Sequence, residues 1–337
     1  MNRSVIDSIE ALEGVVGKTP GAMHLKVIDH LDAGALRWIG LAPLMFAAFQ
    51  DAAGIAVTLG GGKMGFASGN MRELRLPVAA LDDPALAKPG KAFGSLFLIP
   101  GIGETLRING KVVAIDANDV RITVEECYGH CAKALIRSDL WAAQPTTQVS
   151  DDPAAFVSAS RFMALATLGT QSRADLSPKG DPSGSLAHLH GAVLSFADRP
   201  GNRRVDSFRN ILAQPDVALA LLVPGSTIVA VIRGEATLTA DETLRGKFAV
   251  QSKIPLLAVQ VETRAITLRD SAALHRANLW PVGTPPPIEP AKLFVEHIKL
   301  NRDEGLGASL AKAALSIPGV QGLLKKGLDK DYKDNLY

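Results

Sequence analysis

Four arginines crowd the stretch DRPGNRRVDSFRNI, residues 198–211: Arg199, Arg203, Arg204 and Arg209. Pro200-Gly201 sets a tight turn, and Asn202 and Asp206 are suited to cap a helix expected to begin near Arg204. The first turn of such a helix exposes unpaired N–H groups and a partial positive charge. Together with Arg203, Arg204 and the Ser207 hydroxyl, it offers planar forks and fixed donors suited to a phosphate monoester. Lys179 in DLSPKGD, residues 175–181, would close that cage, with Ser177 as a further donor. The same residues also fit a solvated basic turn, and residue types alone leave both readings standing.

Other chemistry-bearing patterns are weaker. GVVGKT has two residues between its glycines where a phosphate-binding P-loop needs four. GGGKMG satisfies G-x-G-x-x-G, but FASGN behind it opens no helix, so a glycine-rich turn is expected. Cys127, His130 and Cys131 lack a second ligand pair and are expected to be packed groups at a strand–helix junction. HLH, residues 188–190, would point both imidazoles to one face of a strand, with no carboxylate partner evident, so no metal site is assigned. No Ser-His-Asp or Cys-His order supports a hydrolase.

The elements that must position these residues are short and mostly β. IAVTL, SLFLIP, TLRINGKVVAI and VRITVEECY are β-branched or apolar runs bounded by Gly, Asp and Asn, with ING and DAND as turn chemistry. RFMALATL, AHLHGAVLSFA, VALALLVP, TIVAVIRGEATLTA and LLAVQVETRAITL continue the habit further along the chain. Short helices are expected at SVIDSIEALEGVV, HLDAGALRWIG, GHCAKALIRS, VDSFRNILAQ and DETLRGKFAV. This pattern predicts a closed or half-closed barrel in each half.

The halves also resemble each other. SLFLIPGIGETLRINGKV aligns with ALALLVPGSTIVAVIRGEA, placing Pro100-Gly101 on Pro224-Gly225 and Gly110 on Gly234. ALIRSDLW aligns with ALHRANLW, and LAPLMFAAFQDAAGIAV with ASRFMALATLGTQSRADL. Three matches in the same order point to a tandem duplication. The expected division is 1–145, 150–281 and a tail at 282–337, in which PVGTPPPIEP is a stiff spacer ahead of amphipathic helices.

Bulk properties bound the function. The chain has 337 residues, and its 36 Lys and Arg nearly balance 34 Asp and Glu, so no overall field favours nucleic acid or anionic membrane. Two cysteines fit a reducing compartment. MNRSVIDSIEALEGVVGK lacks the apolar core of a signal peptide, and WIGLAPLMFAAF is too short to span a bilayer. A cytoplasmic protein is expected.

SPKGDP, DRPGNRR-DS--NIL and VPG, in this order, resemble the pyridoxamine 5′-phosphate oxidase-like family of FMN-binding split barrels. PG-GETLR-NG and HCAKAL-RS-LW in the first half resemble a branch of FMN-dependent enzymes without assigned substrates. The resemblance implies two tandem split barrels acting as a pseudo-dimer, with FMN between them. It implies cofactor contacts from Ser177, Lys179, Asn202, Arg203, Arg204 and Ser207 of one half. Glu104, Thr105, Arg107, His130 and Lys133 of the other half would complete the site. The first half lacks the basic turn, and the second has Ile228, Val229 and Val231 where the first has Glu104, Thr105 and Arg107. One composite flavin site per chain is therefore expected, opposite a closed-over counterpart.

The implied activity is oxidoreduction of a small molecule, with a nicotinamide electron donor and no assigned acid or base. The alternatives are a non-catalytic flavin carrier, or a protein that binds F420 or heme instead. A homodimer of pseudo-dimers is compatible with the family.

Overall fold

LMFAAF and FMALATL are apolar on both faces, and the computed structural model gives each face a core of its own. It describes residues 4–20, 24–201 and 204–303, and a discontinuous set from 305 to 337. The chain opens with β1 (Val5–Ile6), α1 (Ile9–Val16) and α2 (Ala33–Leu41). The first unit then runs through β2 (Leu44–Asp51), β3 (Gly54–Gly61), β4 (Ser68–Gly69), β5 (Glu73–Pro77), β6 (Ala92–Leu98), β7 (Thr105–Ile115) and β8 (Asp119–His130). Next come α3 (Lys133–Arg137), α4 (Pro153–Ala159), β9 (Phe162–Gly169), β10 (Arg173–Gly180), β11 (Ala187–His190) and β12 (Val193–Ala197). The second unit finishes with α5 (Asp206–Ala213), β13 (Asp216–Leu222), β14 (Ile228–Thr239), α6 (Glu242–Gly246), β15 (Ala258–Asp270) and α7 (Ala272–Ala277), ahead of α8 (Pro290–Leu300).

The strands form two antiparallel sheets. One has the order β3-β2-β6-β7-β8-β5-β4, the other β10-β9-β13-β14-β15-β12-β11, with β1 added on β14. Counted along the chain, these are the same order. Both sheets also slip register at corresponding points, Asn109/Gly110 and Arg233/Gly234. A Cβ on Gly110 would sit 1.9 Å from the Thr123 carbonyl oxygen, and one on Gly234 would sit 2.2 Å from that of Glu262. Only glycine fits such a bulge. ING is therefore a bulge inside β7, not the turn its composition suggests. DAND is a turn, closed by the Asp116 carboxylate accepting from the Asn118 and Asp119 amides at 2.8 and 2.9 Å.

Side-chain alternation sorts the apolar residues of the two sheets into three cores, with a small fourth cluster at Leu25 and Ile298. Met45, Ala47 and Phe49 of β2 face the first unit's interior, while Leu44, Phe46 and Ala48 face the second unit. On β9, Met163 and Leu165 point into the second unit's own core, and Phe162, Ala164 and Ala166 point out to meet β2. Phe46 and Phe162 touch across that boundary, ring centroids 5.4 Å apart. Strands covered on both faces read as unbroken apolar runs, as these do.

The expected short helices form, with differences at their ends. α5 begins at Asp206, two residues later than expected, and Val205 at its N-cap position gives no side-chain cap. The Asp206 carboxylate instead accepts from Arg204 Nε. AHLHGAVLSFA breaks into β11 and β12 around Gly191, whose φ of +58° favours glycine. The expected first unit of 1–145 does not hold together at its start. β1 pairs with β14, and Leu12 of α1 lies in the second unit's core. A lone eight-residue helix is too short to stand alone and takes the apolar partner it can reach. Leu293 of α8, counted with the tail, completes the first unit's core. Most of the amphipathic run expected at 307–328 lies outside the described residues. Among the described residues, no helix is long and apolar enough to cross a membrane.

Candidate functional site

The two units meet reciprocally. β10 lies against β6 and α3, and β3 lies against β13 and α7. The closest approaches also correspond, since a Cβ on Gly180 would meet the Ala134 oxygen at 1.9 Å and one on Gly61 the Ala273 oxygen at 2.4 Å. Each end of this interface brings one unit's β7-type strand against the other unit's β10-type strand. The chemistry at the two ends differs.

At one end, Arg107 of β7 crosses to the second unit. Its Nη1 donates to Tyr128 Oη and to Asp175 Oδ1, both at 2.5 Å, and its Nη2 donates to Ser177 Oγ at 3.0 Å. Ser177 and Ser207 hydroxyls lie 2.6 Å apart, and Ser207 donates to Asp175 Oδ2 at 3.2 Å. Arg204 lies over the Tyr128 ring at 4.3 Å. Burial alone would weaken the proton on Arg107, but Asp175 and Tyr128 outweigh it and the guanidinium stays charged. Burial raises the Tyr128 hydroxyl above its usual value, so it stays protonated. Burial also pushes the Lys26 ammonium, which donates to the Gly129 oxygen at 2.9 Å, down to about 8, and Arg204 and Arg107 add to that.

Beside this network opens a cavity of about 580 Å³, within the usual range of small-molecule sites. Among the described residues, six cations line it (Lys133, Arg137, Lys179, Arg199, Arg204 and Lys253) against three carboxylates, Asp181, Asp198 and Asp331. Lys179 Nζ is 3.2 Å from Asp198 and lies over the Phe208 ring at 4.6 Å. Arg199 donates to Asp181 at 2.7 Å, while Arg199 Nη2 and Asp181 Oδ1 are buried with no hydrogen-bond partner. His130 Nδ1 is likewise buried without a partner. Desolvation, then the charges of Arg107, Lys26, Arg204 and Lys179, hold His130 neutral far below its ordinary value. Cationic, partly orphaned and large enough for a mononucleotide, the cavity fits a phosphate-bearing cofactor.

Of the expected site residues, Ser177, Lys179, Arg204, Ser207, His130 and Lys133 all line this cavity. Arg107 does not; it stands behind Ser177 as a buried tie. Thr105 is fully buried with an unpartnered hydroxyl, and Glu104 accepts from Tyr332 Oη at 3.3 Å. Asn202 and Arg203 lie outside the described residues. Sequence reasoning missed Asp175, Tyr128 and Arg137. Strand period places Asp175 on the same face as Ser177 and Lys179, and Tyr128 on the face of His130. Arg137 is matched by Arg276 in the aligned ALIRSDLW and ALHRANLW. Cys127 is buried in β8 and Cys131 half-buried beyond it. His188 and His190 stack on one another, centroids 6.3 Å apart.

The other end of the interface is filled. Val231, Ala56 and Thr58 stand where the first end has Arg107, Asp175 and Ser177. Asp82 enters from the first unit and accepts from Ser271 Oγ at 2.5 Å and from the Ala273 amide at 2.7 Å. Arg276 donates to the Gly61 and Ala80 oxygens at 2.9 and 2.8 Å. A closed-over counterpart with Ile228, Val229 and Val231 in place of Glu104, Thr105 and Arg107 was expected there. Val229 fits that expectation, but a polar clasp on α7 does the rest.

No protein-family model and no curated protein sequence matches the chain. Several solved structures are similar to it. An F420 reductase matches at 16% identity, over 35% of this chain and 98% of that one, with a TM-score of 0.28. A candidate pyridoxamine 5′-phosphate oxidase from Lactobacillus delbrueckii matches at 18% identity over 36% and 95%, with a TM-score of 0.28. General Stress Protein 26 from Bacillus anthracis matches at 18% over 32% and 84%, with a TM-score of 0.26. Each of these structures matches about a third of the chain.

Proposed function

We propose that the chain binds one FMN in the cavity between its two units and acts as a flavin-dependent oxidoreductase on a small molecule. The two units would be products of a tandem duplication that together replace a homodimer. The observation that carries this reading is the convergence of Ser177, Lys179, Arg204 and Ser207 of one unit with His130 and Lys133 of the other around one cationic cavity.

Ser177, Ser207 and Arg204 would hold the phosphate, with Lys179 beside them, through charge-assisted hydrogen bonds. Arg107 fixes the Ser177 hydroxyl from behind. His130, kept neutral, offers a hydrogen bond without adding charge. Bound flavin would supply hydride or electron transfer, and the chain would supply binding, orientation and the field around the ring. A nicotinamide is the electron donor this chemistry calls for, and the charge balance gives nucleic acid no role. The cytoplasm is the compartment that suits such a donor and two free thiols.

The test is direct. The purified protein, reconstituted with FMN, is to show a flavin absorbance band that bleaches with NADH or NADPH and returns with oxygen. A bound flavin that never bleaches reduces the role to a carrier. An F420 or heme spectrum, or no uptake of FMN, overturns the assignment.

A further inference from the structure

The cavity's mouth is crossed by residues far from both sheets in sequence. Asp331 Oδ2 lies 2.8 Å from Lys133 Nζ, whose side chain is only 6% exposed. Tyr332 Oη donates to Glu104 Oε1 at 3.3 Å and accepts from the Ala132 amide at the same distance. Arg137 Nε donates to the Leu336 oxygen at 2.6 Å. The Tyr337 ring lies 5.7 Å from the Arg137 guanidinium and 5.6 Å from that of Arg199, and its carbonyl oxygen accepts from Lys253 at 2.8 Å. Lys133, Arg137, Arg199 and Lys253, four of the six lining cations among the described residues, are engaged by these contacts.

We propose that residues 331–332 and 334–337 form a strap across the cavity mouth, latched by Asp331 on Lys133 and by Tyr332 on Glu104, that has to unlatch before an anionic ligand reaches Lys133 and Arg137. This rests on reading the cavity as an anion site. The Asp331 carboxylate and a phosphate monoester compete for one ammonium, so each weakens the other's hold by the same factor. The latch is one ion pair, its ammonium buried and its carboxylate half-exposed, and one tyrosine hydroxyl, few enough contacts to release and re-form together. Tyr337, pinned between two guanidinium groups, is the wall against which anything beside the ligand would lie.

The chain carries its own reporter, so the strap can be followed with no ligand present. Cys131 lines the cavity one residue from Ala132, the strap's backbone anchor, while Cys127 is fully buried and desolvation raises its thiol. With an aromatic disulfide reagent on the full chain, Asp331→Asn combined with Tyr332→Phe is to speed labelling of Cys131 at least tenfold. Cys131→Ser is to abolish the fast phase. An unchanged labelling rate in a double variant with wild-type circular dichroism and melting overturns the strap. Should the double variant fold poorly, Tyr337→Ala alone is to speed labelling several-fold, and no change there overturns the proposal equally. Faster labelling in a protein that takes up no FMN would leave the strap standing and remove only the flavin reading.

Discussion

The two ends of the interface between the units share strand order, bulge position and closest approaches, yet one is a cationic cavity and the other is closed by the Asp82 clasp on α7. The corresponding positions that differ include Arg107 and Val231, Tyr128 and Thr267, Asp175 and Ala56, Ser177 and Thr58, Lys133 and Ala272, and His130 and Arg269. Arg137 and Arg276 show how little the scaffold itself decides. Each reaches across to a carbonyl of the opposing loop, that of Pro200 or of Ala80. Beyond that loop one borders the cavity and the other is sealed by Asp82. The shared backbone frame carries charge at both ends; what differs is whether a carboxylate from the facing loop, Asp82, fills the space.

The contrast is most severely tested by removing the tie at the open end. Arg107→Leu leaves Asp175 buried without its partner, and urea unfolding is to show a loss of about 3–5 kcal/mol. A loss below about 1 kcal/mol would mean that this end is not held by charge. Arg204→Ala removes one charge-assisted partner of the phosphate, worth about 1.5–3 kcal/mol. FMN affinity, by equilibrium fluorescence, is to fall at least tenfold, while Arg276→Ala at the filled end leaves it unchanged. Asp82→Ala strips the clasp from α7 at a cost of about 0.5–2 kcal/mol, with FMN affinity again unchanged.

The smallest effect is a pH dependence. Unfolded chain protonates His130 as pH falls through 6.5, whereas the folded protein keeps it neutral to far lower pH. The unfolded state therefore binds the extra proton, and stability drains away below 6.5. Between pH 6.5 and 5.5 the loss from this group is to be about 1 kcal/mol, absent in His130→Gln, as read from melting curves at each pH.

Much of the fold was legible because strand alternation and turn chemistry are local. TLRINGKVVAI is β7 from end to end, and the aligned glycines at 110 and 234 mark the same bulge. Of the four arginines grouped in sequence, Arg199 and Arg204 line the cavity, Arg209 pairs with Glu13 instead, and Arg203 lies outside the described residues. Asp175 and Tyr128 were not legible, since a buried carboxylate and a strand tyrosine look ordinary until Arg107 arrives from the other unit. Local pattern also gave α1 to the wrong unit, because pairing with β14 depends on residues more than two hundred positions away. Nothing in DKDYKDNLY announces a strap: its partners lie on α3, on the approach to β7 and beyond β12, brought together only by the folded interface.

The central claim is that one cavity, walled by both units, takes one cofactor. Titrating the full chain with FMN and following flavin fluorescence to saturation measures this directly. One FMN per chain, with binding weakened by substitutions at Arg204 of one unit and Lys133 of the other, is the expected result. Two per chain, or binding indifferent to one of those two residues, would contradict it.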